Sequence, residues 1–136
     1  MSYNPYRQDR DELKELLQQY DNLKKGKNFS FIEEESFERI IDYYDEKEQL
    51  ALALQAAEYG IEQYVYSAAL LLRKADILIA LKKYAEALPI LDKAELLDRR
   101  DTNLYILKTD AYLALDMQEK AAAVLEVLPN FDFIKN

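Results

Sequence analysis

The amino-acid sequence predicts an all-α chain, and three observations carry that expectation. Of 136 residues only two are glycine and three are proline, few for the tight turns that join strands. Leu, Ala, Glu, Lys and Gln fill the spaces between, and these side chains enter a helix at little cost. Apolar residues recur at offsets of three and four, which makes one stripe along a helix. Half of the chain is hydrophobic, enough to form the core of one domain.

The first stripe is Leu13, Leu16, Leu17, Tyr20 and Leu23, and it places a helix from about Tyr6 to Lys25. Gly26 ends it, with Lys24 and Lys25 in the last turn, where cations suit the helix dipole. After a short linker, Ser30-Phe31-Ile32-Glu33 reads as a capping box, in which the Ser and Glu side chains satisfy free backbone N–H groups. The next helix is therefore expected over 31–46. Further helices are expected at 49–61, 68–81, 84–97, 103–115 and 118–128. Ser67 and Asp101 or Thr102 serve as N-caps, and Pro129 is the last stop.

Internal repetition is the strongest signal in the chain. Ala53, Ala87 and Ala121 recur at a spacing of 34 residues. So do Ala57, Leu91 and Leu125, and so do Gly60, Ala94 and Leu128. Phe37, Leu71 and Tyr105, then Tyr44, Leu78 and Tyr112, then Asp42, Asp76 and Asp110 keep the same phase. Small residues at 53, 87 and 121 let helices approach closely, so a large side chain there should overpack by about 1–3 kcal/mol. Leu91 and Leu125 are expected to fill the space between helices, where truncation costs about 2–5 kcal/mol.

The run Lys83-Tyr84-Ala85-Glu86-Ala87-Leu88, continuing to Lys93-Ala94-Glu95-Leu96-Leu97-Asp98, resembles the second helix of a tetratricopeptide repeat. The resemblance covers residues 34–135. It implies a right-handed α-α superhelix of about three helix pairs with an extra N-terminal helix. The divisions are then 1–33 for a capping helix and linker, 34–67 and 68–101 for two repeats, and 102–135 for a third repeat with the C-terminal tail. The chain departs from the family pattern at Ile41 and Thr109, where Gly or Ala is usual. Lys74 and Lys108 stand at a position usually held by Leu, and Val65 and Arg99 replace the closing Pro.

Composition narrows the function. The net charge is -8, so the chain would be repelled by the phosphates of nucleic acid and by anionic membrane surfaces. The first residues are polar and charged and lack a signal-peptide core, so the expected address is cytoplasmic. The chain holds neither Cys nor His, which removes thiolate nucleophiles, imidazole bases and zinc sites. Gly26 and Gly60 are its only glycines, so it has no phosphate-cradling loop. No catalytic residue, metal or cofactor is expected, and the chain is read as a non-enzyme that binds another protein.

The family resemblance implies where. The first helix of each repeat would line a concave groove formed by Glu38, Asp42 and Asp45, then Leu72, Asp76 and Ile79, then Ile106, Asp110 and Leu113. This groove is acidic at one end and apolar at the other. Residues 33–62 hold ten acids against Arg39 and Lys47. A basic and apolar peptide is the expected ligand. The plain alternative is a solvated face, since carboxylates on adjacent helices repel by only about 0.4 kcal/mol in water. Arg39 is expected to pair with Asp42, and Arg73 with Asp76, each within its own helix. Some members of the family grip an acidic C-terminal tail with Lys, Asn and Arg on this face. Glu38, Asp42, Asn103 and Leu107 occupy those positions here, so such tails should not bind.

Two other readings belong to different classes. One is a small acidic chaperone for an apolar client. The other is a structural role, as part of a longer array or as a homodimer through the C-terminal repeat, with Phe131, Phe133 and Ile134 as the self-association residues. Among the 11 tyrosines, Tyr44, Tyr84, Tyr105 and Tyr112 are expected in the core. Tyr59, Tyr64 and Tyr66 are expected half-buried between repeats, with their hydroxyls in water.

Overall fold

The computed structural model describes residues 5–27 and 31–128. Among them are seven α-helices and no strand: α1 Pro5–Lys24, α2 Glu34–Glu46, α3 Leu50–Gln63, α4 Ala68–Ala80, α5 Tyr84–Leu97, α6 Thr102–Ala114 and α7 Gln118–Glu126. The helices follow the 34-residue period closely. α2, α4 and α6 start at Glu34, Ala68 and Thr102, and α3, α5 and α7 at Leu50, Tyr84 and Gln118.

The turns inside the pairs repeat too. Glu48, Lys82 and Asp116 each take the left-handed conformation, with φ of 57°, 62° and 60°. The next residue closes the helix behind it: Gln49 N–H donates to Tyr44 O at 2.9 Å, Lys83 to Leu78 O at 2.8 Å and Met117 to Tyr112 O at 2.8 Å. These bonds satisfy carbonyls that a helix end leaves free. α1 closes the same way around Gly26 (φ 66°), where Lys27 N–H donates to Asn22 O at 3.0 Å. Ser67 caps α4 by accepting from Leu70 N–H at 3.1 Å, and Asp101 caps α6 by accepting from Asn103 N–H at 2.9 Å. The capping-box reading of α2 is corrected. α2 begins at Glu34 after Glu33, whose side chain makes no capping bond, and Ser30 lies outside the described residues. The stop at Pro129 lies outside them as well.

α2 packs on α3, α4 on α5 and α6 on α7, and each pair packs on the next. α2, α4 and α6 also touch in sequence, whereas the backbones of α3, α5 and α7 do not approach one another. Two cores result. The first joins Tyr20 of α1 to Phe37, Ile40, Ala53, Ala57 and Leu70, with Leu16, Leu17 and Leu23 of α1 against it. The second joins Leu71, Ala75, Leu78, Ala87, Leu91, Ala94, Leu104, Tyr105 and Val124. Ala53, Ala87 and Ala121 are all buried, consistent with the close approach expected of them. Gly60 permits another: a Cβ there would meet Leu70 Cδ1 and Phe37 Cγ at 3.1 Å.

Leu91 and Leu125 part company. Leu91 is 0% exposed, but Leu125 is 57% exposed, because the former lies in the α5–α6 seam and α7 is the last described helix. The expectation that Leu125 fills interhelical space is therefore overturned. The tyrosines also need correction. Tyr105 is buried, but Tyr44, Tyr84 and Tyr112 are only half-buried. The Tyr64 hydroxyl is not in water but donates to Ile32 O at 2.6 Å, tying the segment before α2 to the end of α3.

The two lysines at a Leu position have a common explanation. Lys74 Nζ lies 3.8 Å from Glu58 Oε2, and Lys108 Nζ lies 2.8 Å from Asp92 Oδ1 with Glu95 as a second partner. Each lysine bridges its helix to the preceding one, and both partners are one period apart. Burial alone would push the Lys108 ammonium down. The hydrogen bonds to Asp92 and Glu95 outweigh it and hold its pKa above the usual lysine value.

Candidate partner-binding groove

The layer formed by α2, α4 and α6 carries a groove of about 480 Å³. Its acidic wall is Glu38 and Asp42 on α2 and Asp76 on α4, with Asp101 and Asn103 at the start of α6. Ala69, Leu72, Ile106 and Leu107 add the apolar part. Alternating core and groove faces on each helix put these side chains here. On α4, Leu70, Leu71, Ala75 and Leu78 turn into the cores, which leaves Arg73 and Asp76 for the groove, with Leu72 belonging to both the second core and the groove lining.

Arg73 organises the acidic wall. Its Nε donates to Asp42 Oδ1 at 3.0 Å and its Nη2 to Asp42 Oδ2 at 3.1 Å, while Nη1 lies 2.9 Å from Glu38 Oε1. A two-pronged guanidinium–carboxylate contact is among the stronger polar pairs. It ties α2 to α4 across 31 residues of sequence. Two pairings expected within single helices are thereby overturned. Asp42 pairs with Arg73 rather than Arg39, and Arg39 reaches Glu12 of α1 at 3.8 Å. Arg73 in turn pairs with α2 and forms no ion pair with Asp76. Short-range spacing found both arginines but could not rank a cross-helix carboxylate above a same-helix one.

The expected row of Asp42, Asp76 and Asp110 is accordingly broken at its first member. Asp76 instead feels Asp45 of α2 and Asp110 of α6. Its carboxyl is pushed above the usual carboxylate range, first by loss of hydration and then by Asp45, with Asp110 adding to both and Arg73 opposing. The Asp76 side chain is open to solvent by area. The concave wall around it still displaces part of its hydration. Among the described residues no Lys or Arg forms an ion pair with Asp45, Asp76 or Asp110. Glu38 is also pushed up, by burial first. Its neighbours Glu34, Asp42 and Glu35 add to that, and Arg73 only partly offsets them.

Of the sequence-derived groove residues, Glu38, Asp42, Leu72, Asp76 and Ile106 line this cavity. Asp45, Ile79, Asp110 and Leu113 do not line it. Asp45 and Asp110 flank Asp76 on either side, Ile79 packs against the second core and Leu113 is exposed. Phe131, Phe133 and Ile134 lie outside the described residues. The residue that sequence reasoning left out of the site is Arg73. Its signal was present as a basic residue one turn from an Asp of the repeat.

Among the described residues no group of His, Cys, Asp or Glu is arranged to hold a metal ion, and no helix is long and apolar enough to cross a membrane. No family model matches the chain, and no curated protein is similar to it.

Proposed function

We propose that this chain is a tetratricopeptide-type interaction module, a right-handed stack of three helix pairs capped by α1, that binds a basic and apolar segment of another protein in the groove of α2, α4 and α6. The observation that carries the reading is the set of three carboxylates, Asp45, Asp76 and Asp110. They come from α2, α4 and α6, and Asp76, raised first by loss of hydration, also feels Asp45 and Asp110, with Arg73 opposing but forming no ion pair with any of the three among the described residues. A Lys or Arg from a partner would relieve that repulsion, and exposed Ile106 and Leu113 beside it would take apolar neighbours. Arg73 braces Glu38 and Asp42, so the first turns of the wall are held rather than offered. The module is read as non-catalytic and without a cofactor, and the cytoplasmic address belongs to the same proposal.

The test is capture from native lysate by the wild type and by a variant carrying Asp45→Asn, Asp76→Asn and Asp110→Asn, with helicity checked by circular dichroism. The bound protein should be released by salt and absent from the still-helical variant. Capture should also weaken as pH falls through the raised range of Asp76, because protonation removes the charge that attracts the partner. A chaperone for apolar clients would keep its client in high salt and in the triple variant, and that result would overturn the proposal.

A further inference from the structure

The 34-residue period shows what each seam between helix pairs requires, and one face has those requirements unmet among the described residues. Leu72 and Leu91 are 9% and 0% exposed because α6 covers them, whereas their counterparts one period on, Ile106 and Leu125, are 51% and 57% exposed. Buried Ala94 is likewise matched by a Leu128 that is only partly covered. The polar partner recurs as well. Glu58 of α3 pairs with Lys74 of α4, and Asp92 of α5 pairs with Lys108 of α6. Glu126 of α7 stands one further period along, exposed and with no ion pair among the described residues.

We infer that the outer face of α6 and α7 is a docking surface for a helix of another polypeptide, one that lays an apolar ridge between Ile106 and Leu125 and places a Lys or Arg opposite Glu126. The chemistry of the occupant follows from the two seams already formed. In each, the arriving helix brings apolar side chains onto the preceding pair and one lysine onto the acid of the second helix. An exposed apolar strip of this kind is what burial favours covering, and the acid selects a basic helix over an acidic one. Ile106 also lines the acidic groove, but Leu125 and Glu126 lie outside it, so the Glu126→Lys swap tests this surface apart from the groove.

The chain supplies its own probe. A synthetic peptide spanning residues 99–117 contains α6, whose Lys108 meets Asp92 in the fold. Added in excess to the intact labelled protein, it should produce saturable amide shifts confined to α6 and α7. A peptide carrying Lys108→Glu should bind at least about fivefold more weakly, roughly 1 kcal/mol, and Glu126→Lys in the protein should restore that loss. Glu126→Lys is an exposed change and should leave the fold intact, which an unchanged spectrum elsewhere verifies. Absence of saturable shifts, or affinity indifferent to the charge swap, would falsify the inference. Two other results would also overturn it by assigning the face a different occupant. One is binding that appears only when Phe131, Phe133 and Ile134 are replaced by Ser, which makes the tail the occupant. The other is a dimer of the unmixed protein that Glu126→Lys dissolves, which makes a second copy the occupant.

Discussion

α1 and α7 flank the same stack with opposite faces. α1 turns Leu16, Leu17, Tyr20 and Leu23 onto α2 and α3, and its seam is sealed by Tyr20 meeting Tyr59 edge-on at 5.8 Å between ring centroids. α7 covers α6 on one side only and leaves Leu125 and Val127 in solvent. The difference teaches that the repeat pattern specifies a two-sided helix pair, and that the neighbour on each side decides which residues become core. Leu91 and Leu125 are the same residue type at the same phase of the repeat. Only the presence of α6 separates a buried leucine from an exposed one.

Mutation can break that comparison. Leu91→Ala should destabilise the protein by about 2–5 kcal/mol, as expected of a filled interior site, while Leu125→Ala should cost less than about 1 kcal/mol. Urea denaturation of both variants measures the gap. Equal losses would mean that the α7 face is covered in solution.

A smaller effect sharpens the picture of the sealed end. The Tyr20 hydroxyl is buried with no hydrogen-bond partner among the described residues. Burial, with Tyr44 and Tyr59 nearby, pushes its ionisation far up. Tyr20→Phe removes an unpaired polar atom and keeps the ring, so it should stabilise the fold by about 1 kcal/mol. A lower melting temperature would show that the hydroxyl has a partner.

The smallest effect lies in the turns, which recur at Glu48, Lys82 and Asp116. A side chain in the left-handed region costs about 1–2 kcal/mol, partly offset by the entropy glycine loses on folding. Lys82→Gly should therefore raise stability by about 0.5–1 kcal/mol, visible as a shifted denaturation midpoint with an unchanged slope.

Much of this architecture was legible in the chain. The helical class, the 34-residue period and the caps at Ser67, Asp101 and Gly26 all follow from local chemistry, because apolar spacing, capping side chains and glycine act within one or two turns. α5 was read over 84–97 and forms over those residues, even with Pro89 inside it. The start of α2 was misplaced because a capping motif is only a local preference.

What only the tertiary structure decided is partnership across helices. Arg73 could reach a carboxylate on its own helix or on the next, and packing of α2 against α4 brought Glu38 and Asp42 to it. The acidic row predicted from phase alone became Asp45, Asp76 and Asp110, because Arg73 takes Asp42 out of it. Lys74 and Lys108 looked like departures from an apolar pattern until the preceding helix supplied Glu58, Asp92 and Glu95. The sequence by itself determined which residues repeat and, the start of α2 aside, roughly where helices begin and end, since those depend on neighbours a few residues away. The pairing of charges and the burial of equivalent leucines depend on distances between residues remote in the chain, and only the folded stack sets those distances.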